Sequence, residues 1–272
     1  MKRIVSIQDI SCIGKCSQTV ALPIISCMGI ETAVLPTSVL STHTAFNGYT
    51  FKNLEDEARK IIDHWEKENF TFDLIYIGYT GNIQILDLVL DFIDKFKTTN
   101  NIVVFDPAMA DHGRFYSGIN ESILEKMKEV CKKADIIKPN LTETALLLGE
   151  EYKEKYSIEN IKEQAQRLLT LGSKNVVITG VENEGKIGVL AFNGEKYYSN
   201  YETKYNVNYH GTGDVFTSCL SGCLVDGKTL EEAITISSKF TTECVRLTYE
   251  DTQGEKYGVN FEQAIPYLIK LC

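Results

Sequence analysis

The sequence has no uninterrupted apolar stretch of about 18 residues, the minimum for a membrane-spanning helix. A transmembrane segment is therefore not expected. The first residues, Met1-Lys2-Arg3-Ile4-Val5-Ser6-Ile7, turn polar at Gln8-Asp9, too early for the apolar core of a signal peptide. That stretch reads as a first strand, and the chain is expected in the cytoplasm. A basic excess is lacking too: 28 Lys and Arg face 37 Asp and Glu, a formal net charge of −9. This balance argues against nucleic acid or an anionic membrane as partner. A small anionic substrate stays open, because a loop of backbone N–H groups holds phosphate inside an acidic protein. Neither a C-x-x-C pair nor clustered histidine accompanies the eight cysteines at 12, 16, 27, 131, 219, 223, 244 and 272. The spacing of Cys12/Cys16 and Cys219/Cys223 suits one helical face, but not the usual zinc or redox patterns. Reduced thiols acting as small core residues are the reading adopted. No internal repeat, low-complexity tract or linker interrupts residues 1–272, which are read as a single domain.

What is present is alternation. Strand-like Arg3–Ile7 precedes a helical Ser17–Met28, and strand-like Thr32–Leu35 precedes an amphipathic Leu54–Glu68. Leu74–Gly78, Ile102–Asp106 and Ile136–Ile137 read as strands, with helices expected over Ile83–Phe96, Ile119–Lys132 and Leu141–Leu148. Ser157–Leu171 reads as a helix with Ser157 as N-cap and Gly172 as C-cap. Val176–Thr179 is a β-branched strand, and Ile187–Phe192 with Glu195–Ser199 reads as a hairpin turning at Asn193-Gly194. Helices follow over Asp214–Val225, Leu230–Leu247 and Phe261–Leu271. Unalternating apolar strands between helices predict an α/β fold, its mostly parallel sheet covered on both faces. Ligands bind at the carboxyl ends of such strands. The residues expected there are Asp9, Tyr79, Asp106, Asn140, Thr179 and Gly180.

One phosphate-loop pattern is a decoy. Gly180 to Lys186 fits Gly-x4-Gly-Lys, but Ile187 stands where Ser or Thr would bind magnesium, and Glu182 and Glu184 would repel phosphate. A solvated turn is expected there. Gly211-Thr212-Gly213-Asp214 is a better candidate, since glycines at a helix start let several N–H groups face one anion, aided by the dipole. A simple helix cap would use the same residues. Lys138-Pro139-Asn140-Leu141-Thr142-Glu143 sets Asn140 and Glu143 at another helix start, placed to meet a metal–phosphate group or to form a capping pair. The two roles are compatible.

Together Gly211-Thr212-Gly213-Asp214, Asn140-Leu141-Thr142-Glu143 and Thr179-Gly180 resemble the anion-hole, magnesium–phosphate and nucleotide segments of the ribokinase superfamily, along essentially the whole chain. Ile7-Gln8-Asp9, Ser41-Thr42-His43-Thr44, Gly78-Tyr79 and Phe105-Asp106-Pro107-Ala108-Met109 resemble segments of its pyridoxal/pyridoxamine kinase branch. The resemblance implies a ribokinase-like domain that phosphorylates the hydroxymethyl group of a B6 vitamer with ATP and Mg2+. It makes Asp214 the general base, and Gly211, Thr212 and Gly213 the anion hole. Asp9, Thr44 and Tyr79 would bind the pyridine. Asn140, Glu143, Thr179 and Gly180 would serve ATP, with Glu143 and Asp106 near the metal. A monovalent cation such as K+ and a homodimer are also compatible with that branch. The run Tyr201–Tyr209 is assigned to the nucleotide pocket, and His43 either to substrate or to its own loop.

The sequence departs from the branch in places. Asp9 stands where many members have Ser, which suits a protonated ring or an amine-bearing vitamer. Thr179 replaces a Lys of some bacterial members, and Ala110-Asp111 replaces the Gly expected after Met109. A hydroxymethylpyrimidine kinase of thiamine synthesis is the nearest alternative, although that branch typically carries Cys at position 214. A sugar kinase ranks lower, because the sugar-contact segment near the N-terminus is absent. A non-catalytic B6-binding protein of the same fold is the alternative from another class.

Overall fold

The computed structural model describes residues 1–251 and 257–272. In chain order, β1 (Arg3–Ser11), α1 (Gln18–Cys27), β2 (Glu31–Leu40), β3 (Phe51–Asn53) and α2 (Glu55–Lys67) lead into β4 (Leu74–Ile77), α3 (Ile83–Phe96) and β5 (Ile102–Phe105). Two short strands, β6 (Ala110–Asp111) and β7 (Arg114–Phe115), precede α4 (Leu124–Lys133), β8 (Ile136–Ile137), α5 (Leu141–Leu148) and α6 (Ile158–Leu169). The chain closes with β9 (Asn175–Asn183), β10 (Lys186–Phe192), β11 (Tyr197–Thr203), α7 (Thr212–Val225), α8 (Leu230–Glu250) and α9 (Phe261–Leu271).

The main sheet has the order β11-β10-β9-β8-β5-β4-β1-β2-β3. Its centre, from β9 to β2, is parallel; among the described residues, antiparallel pairing in this sheet is confined to β2–β3, β9–β10 and β10–β11. Alternate residues feed opposite cores. In β4, Ile75 and Ile77 pack under α2 to α6 with Ile62, Phe92 and Met127, whereas Leu74 and Tyr76 pack under α1, α7, α8 and α9 with Phe216, Phe240 and Leu268. This double covering explains the unalternating apolar strands. No helix of the described residues is long and apolar enough to cross a membrane.

Several boundaries differ from the sequence expectation, each for a local reason. β1 continues four residues past Ile7 because β2 runs on beside it, with a register shift between Gln8 and Ile10. The hairpin at Asn193 closes with four residues rather than two, since Asn193 Oδ1 accepts from the N–H groups of Glu195 and Lys196. Helix α6 starts on the expected Ser157 cap, but it ends at Thr170. There its last turn tightens, with Thr170, Leu171 and Gly172 each donating three residues back. The stretch before α4 is a single 3-10 turn, Glu121–Ile123. The decoy phosphate loop is the β9–β10 turn, where Glu184 and Gly185 both take positive φ, 49° and 74°. Cys131, Cys219, Cys223 and Cys244 are buried thiols as expected, whereas Cys12 and Cys272 are exposed.

Candidate active site

The carboxyl edge of the sheet gathers the candidate residues through a staircase of backbone bonds. Gly78 N–H donates to Ile7 O at 3.1 Å, Asp106 to Ile77 O at 2.8 Å, Lys138 to Phe105 O at 2.9 Å, and Thr179 to Pro139 O at 3.0 Å. Gly78, Asp106 and Lys138 are thus held one step past their strands, whereas Thr179 and Gly180, expected past a strand end, lie within β9, which runs on to Asn183 because β10 pairs beside it. The β1–β4 pairing stops at Ile7 and Ile77, so Asp9 overhangs the same edge.

Helix α7 starts there. Gly211 is its N-cap at φ 84°, and a Cβ on it would lie 1.8 Å from the Lys15 carbonyl oxygen. Only glycine satisfies both conditions. The first N–H groups of the helix have no partner within it. Asp214, in the first turn, accepts from the backbone N–H of Ser17. Burial pushes its carboxyl up to about 7 against that bond, with the charges of Asp106 and Asp9 adding and Lys138 opposing. Asp9 is buried, and its two oxygens accept from Ser17 Oγ and from Ser11 Oγ at 2.9 Å. Burial also raises the Asp9 carboxyl pKa, while these two hydroxyls oppose the rise. Ser17 therefore joins both carboxylates, one through its hydroxyl and one through its N–H. It does so at φ 52°, ψ −131°, a conformation that favours glycine.

Beneath the α7 start lies a buried ion pair. Lys138 Nζ is 2.7 Å from Asp106 Oδ2, and the two side chains are 4% and 5% exposed. Thr217 Oγ1 lies 2.9 Å from Asp106 Oδ2 and 2.9 Å from the Gly213 carbonyl oxygen. A Cβ on Gly213 would stand 3.3 Å from Lys138 Nζ, so the ammonium sits directly under the glycine loop. Asp106, read from the sequence as a metal neighbour, is paired with an ammonium. Glu143 forms a complete capping box with Asn140: its Oε2 accepts from Asn140 N–H at 2.8 Å, and Asn140 Oδ1 accepts from Glu143 N–H at 2.9 Å. Glu143 Oε1 also accepts from Met109 N–H, and burial with the Asp106 charge pushes the carboxyl up to about 8. The Asn140 amide donates to Ala110 O, which ties α5 to the small β6–β7 hairpin.

The remaining predicted residues fall around this core. The Tyr79 phenol pKa is raised by burial and, to a smaller extent, by the Asp9 charge. Thr44 lies half-buried in the loop after β2, where the His43 ring is 5.0 Å from the His210 ring and 4.8 Å from Phe46. Thr179 pairs with Val189, and Gly180, at φ 77°, is the extra residue of a bulge facing β10. In the Tyr201–Tyr209 run, the Tyr205 ring lies 5.3 Å from that of Tyr249 on α8. Ser17 and Lys138 carry no assigned role in the sequence reading. Lys138 alone left a trace there, as a cation following an apolar strand.

A family model described as phosphomethylpyrimidine kinase matches residues 30–259. A pyridoxal kinase of Dictyostelium discoideum is 30% identical over 240 residues, covering 81% of this chain and 77% of that protein. A hydroxymethylpyrimidine/phosphomethylpyrimidine kinase of Aquifex aeolicus is 31% identical over 201 residues, covering 72% and 73%. A Bacteroides thetaiotaomicron structure, provisionally assigned as a phosphomethylpyrimidine kinase and crystallised with pyridoxal, superposes with a TM-score of 0.94 at 36% identity, covering 98% and 96%. Pyridoxal kinase from Lactobacillus plantarum superposes at 0.90 with 26% identity, covering 100% and 98%. Fold, site and relatives together define an ATP-dependent kinase. The chain belongs to the phosphomethylpyrimidine kinase family.

Proposed function

We propose that this kinase transfers the γ-phosphoryl group of ATP to the hydroxymethyl group of a B6-type pyridine. The observation that carries the reading is the bridge that Ser17 makes between Asp214 at the head of α7 and the buried Asp9. A base and a recognition carboxylate held as one unit suit an acceptor with a hydroxymethyl group beside a protonated ring nitrogen or an amine. Asp214 takes the proton of the attacking hydroxyl. The N–H groups at Gly211, Thr212 and Gly213 hold the negative charge on the moving phosphoryl oxygens. Tyr79 and Thr44 border the ring, and the Gly180 bulge with Thr179 receives the nucleotide.

The donor set fits Mg2+ through few protein oxygens, since that ion keeps waters and takes phosphate ligands in kinase sites. Glu143 would offer an oxygen ligand there once its raised carboxyl is ionised beside the ion, with the N–H groups of Asn140 and Met109 fixing its orientation; the Asn140 side chain is itself engaged at both ends. When bound with ATP, the ion supplies charge neutralisation at the phosphates.

A second reading has its own support, because the family description and the Aquifex aeolicus relative both name a pyrimidine acceptor. Pyridoxal, pyridoxamine, pyridoxine and hydroxymethylpyrimidine, each with ATP and Mg2+, separate the two by ADP release. We expect the largest kcat/KM on a B6 vitamer. Turnover confined to hydroxymethylpyrimidine would replace the B6 reading with the pyrimidine one.

A further inference from the structure

We infer that Lys138 is a positioning residue whose buried ammonium occupies the place beside Asp106 that a monovalent cation would need, so that turnover requires no added K+ or Na+. The inference rests on phosphoryl transfer at this site and not on which acceptor is used. Three observations carry it. The ammonium is 2.7 Å from Asp106 Oδ2, and both side chains are almost wholly enclosed. The same carboxylate oxygen lies 2.9 Å from Thr217 Oγ1, which itself reaches the Gly213 carbonyl. The ammonium also lies directly under Gly213, within 3.3 Å of the position a Cβ would take.

A bare cation bound at Asp106 would face a fixed positive charge at contact distance inside a region closed to water. Two like charges there repel strongly, so the site holds one or the other. The chain's own cation is covalently placed and needs no binding equilibrium. Its position under the glycine loop lets one charge serve two ends. It neutralises Asp106, and it adds positive potential where negative charge gathers on the transferring group. Lysine suits this as a compact point charge on a flexible stem, unlike the planar, five-donor guanidinium of arginine.

The experiment measures ADP release with Mg2+ and the acceptor favoured by the substrate panel. Tetramethylammonium serves as the reference cation, and K+ or Na+ replaces it at constant ionic strength. Wild-type kcat should change less than about twofold between these salts. Lys138→Met should lose roughly a hundredfold in kcat, the size seen when one transition-state donor is removed, with smaller changes in both KM values. Lys138→Ser, which vacates the space and leaves an oxygen there, should regain activity with K+ or methylammonium. Its melting temperature should also rise with K+ in the absence of nucleotide, a readout independent of turnover. If the single variants fail to fold, the Asp106→Asn/Lys138→Met pair removes both charges together; it should recover stability while kcat stays at least tenfold down. The inference is overturned by strong K+ activation of the wild type, by near-normal kcat in Lys138→Met, or by full kcat in the double variant. Failure of B6 turnover alone leaves all three criteria intact, because they apply to any accepted hydroxymethyl substrate.

Discussion

As the proposed base, Asp214 must be ionised to accept a proton, and burial holds its carboxyl at about 7. As pH falls through that value the base is lost, so kcat/KM should decline on the acid side with an apparent pKa near 7 and level off above about 8. Asp214→Ala should lower kcat by about two to four orders of magnitude with a smaller effect on ATP binding. A kcat/KM profile flat from pH 5.5 to 8 would remove Asp214 from the role of base. Ser17 allows a separable test. Ser17→Ala and Ser17→Gly both delete the hydroxyl that holds Asp9, but only Ala keeps a Cβ at φ 52°. The Gly variant should therefore be more stable than the Ala variant by about 1 kcal/mol, read from their melting temperatures. Both should raise KM for the acceptor and leave KM for ATP unchanged, since the Ser17 N–H to Asp214 survives. An equal rise in both KM values would show that Ser17 does not act through Asp9.

At the scale of elements, α7 depends on one close approach. Gly211→Ala meets a positive φ of 84° and a backbone oxygen at 1.8 Å, so the loop carrying Lys15 and Ser17 must move away. That displacement takes the Ser17 N–H from Asp214, and kcat should fall at least about a hundredfold, as misplacing catalytic groups by an ångström does. Gly227→Ala is the control, at φ 92° with open space around the added carbon. It should cost about 1 kcal/mol in a denaturation midpoint and leave kcat unchanged. The elements most legible in the sequence were those whose own residues define them. Helices α3, α5 and α9 have the expected bounds because apolar spacing and caps such as Asn82 and Asn140 lie within the segment. Strands β3, β6 and β7 were not foreseen: two or three residues show no period, and their partners decide them. The site divides the same way. Gly211–Asp214 and Asn140–Glu143 stand out as helix starts. The Lys138–Asp106 pair joins residues 32 positions apart on adjacent strand ends, and the role of Ser17 comes from a dihedral angle that no composition reveals.

For the whole molecule, a buried carboxyl proposed as the base opposes folding whenever it is ionised. The Asp214 carboxyl is raised from 3.8 to about 7 on folding, so the folded state favours its protonated form. Its contribution to stability is fully present below the unfolded value, and it is lost as pH rises through the folded one. Asp214→Asn keeps the shape and removes the ionisation. Measured by thermal denaturation without ligands, this variant should be several degrees more stable than the wild type at pH 8. The difference should shrink steadily as pH is lowered from 7 towards 4, where the wild-type carboxyl is protonated in both states. Asp214→Asn should at the same time be nearly inactive, so one substitution trades turnover for stability. A variant no more stable than wild type at pH 8 would mean that the Ser17 N–H and the Lys138 ammonium fully offset the desolvation of the carboxylate. The acid limb of the kcat/KM profile should then fall near the ordinary range of an aspartate, so melting curves and kinetics constrain the same quantity from opposite directions.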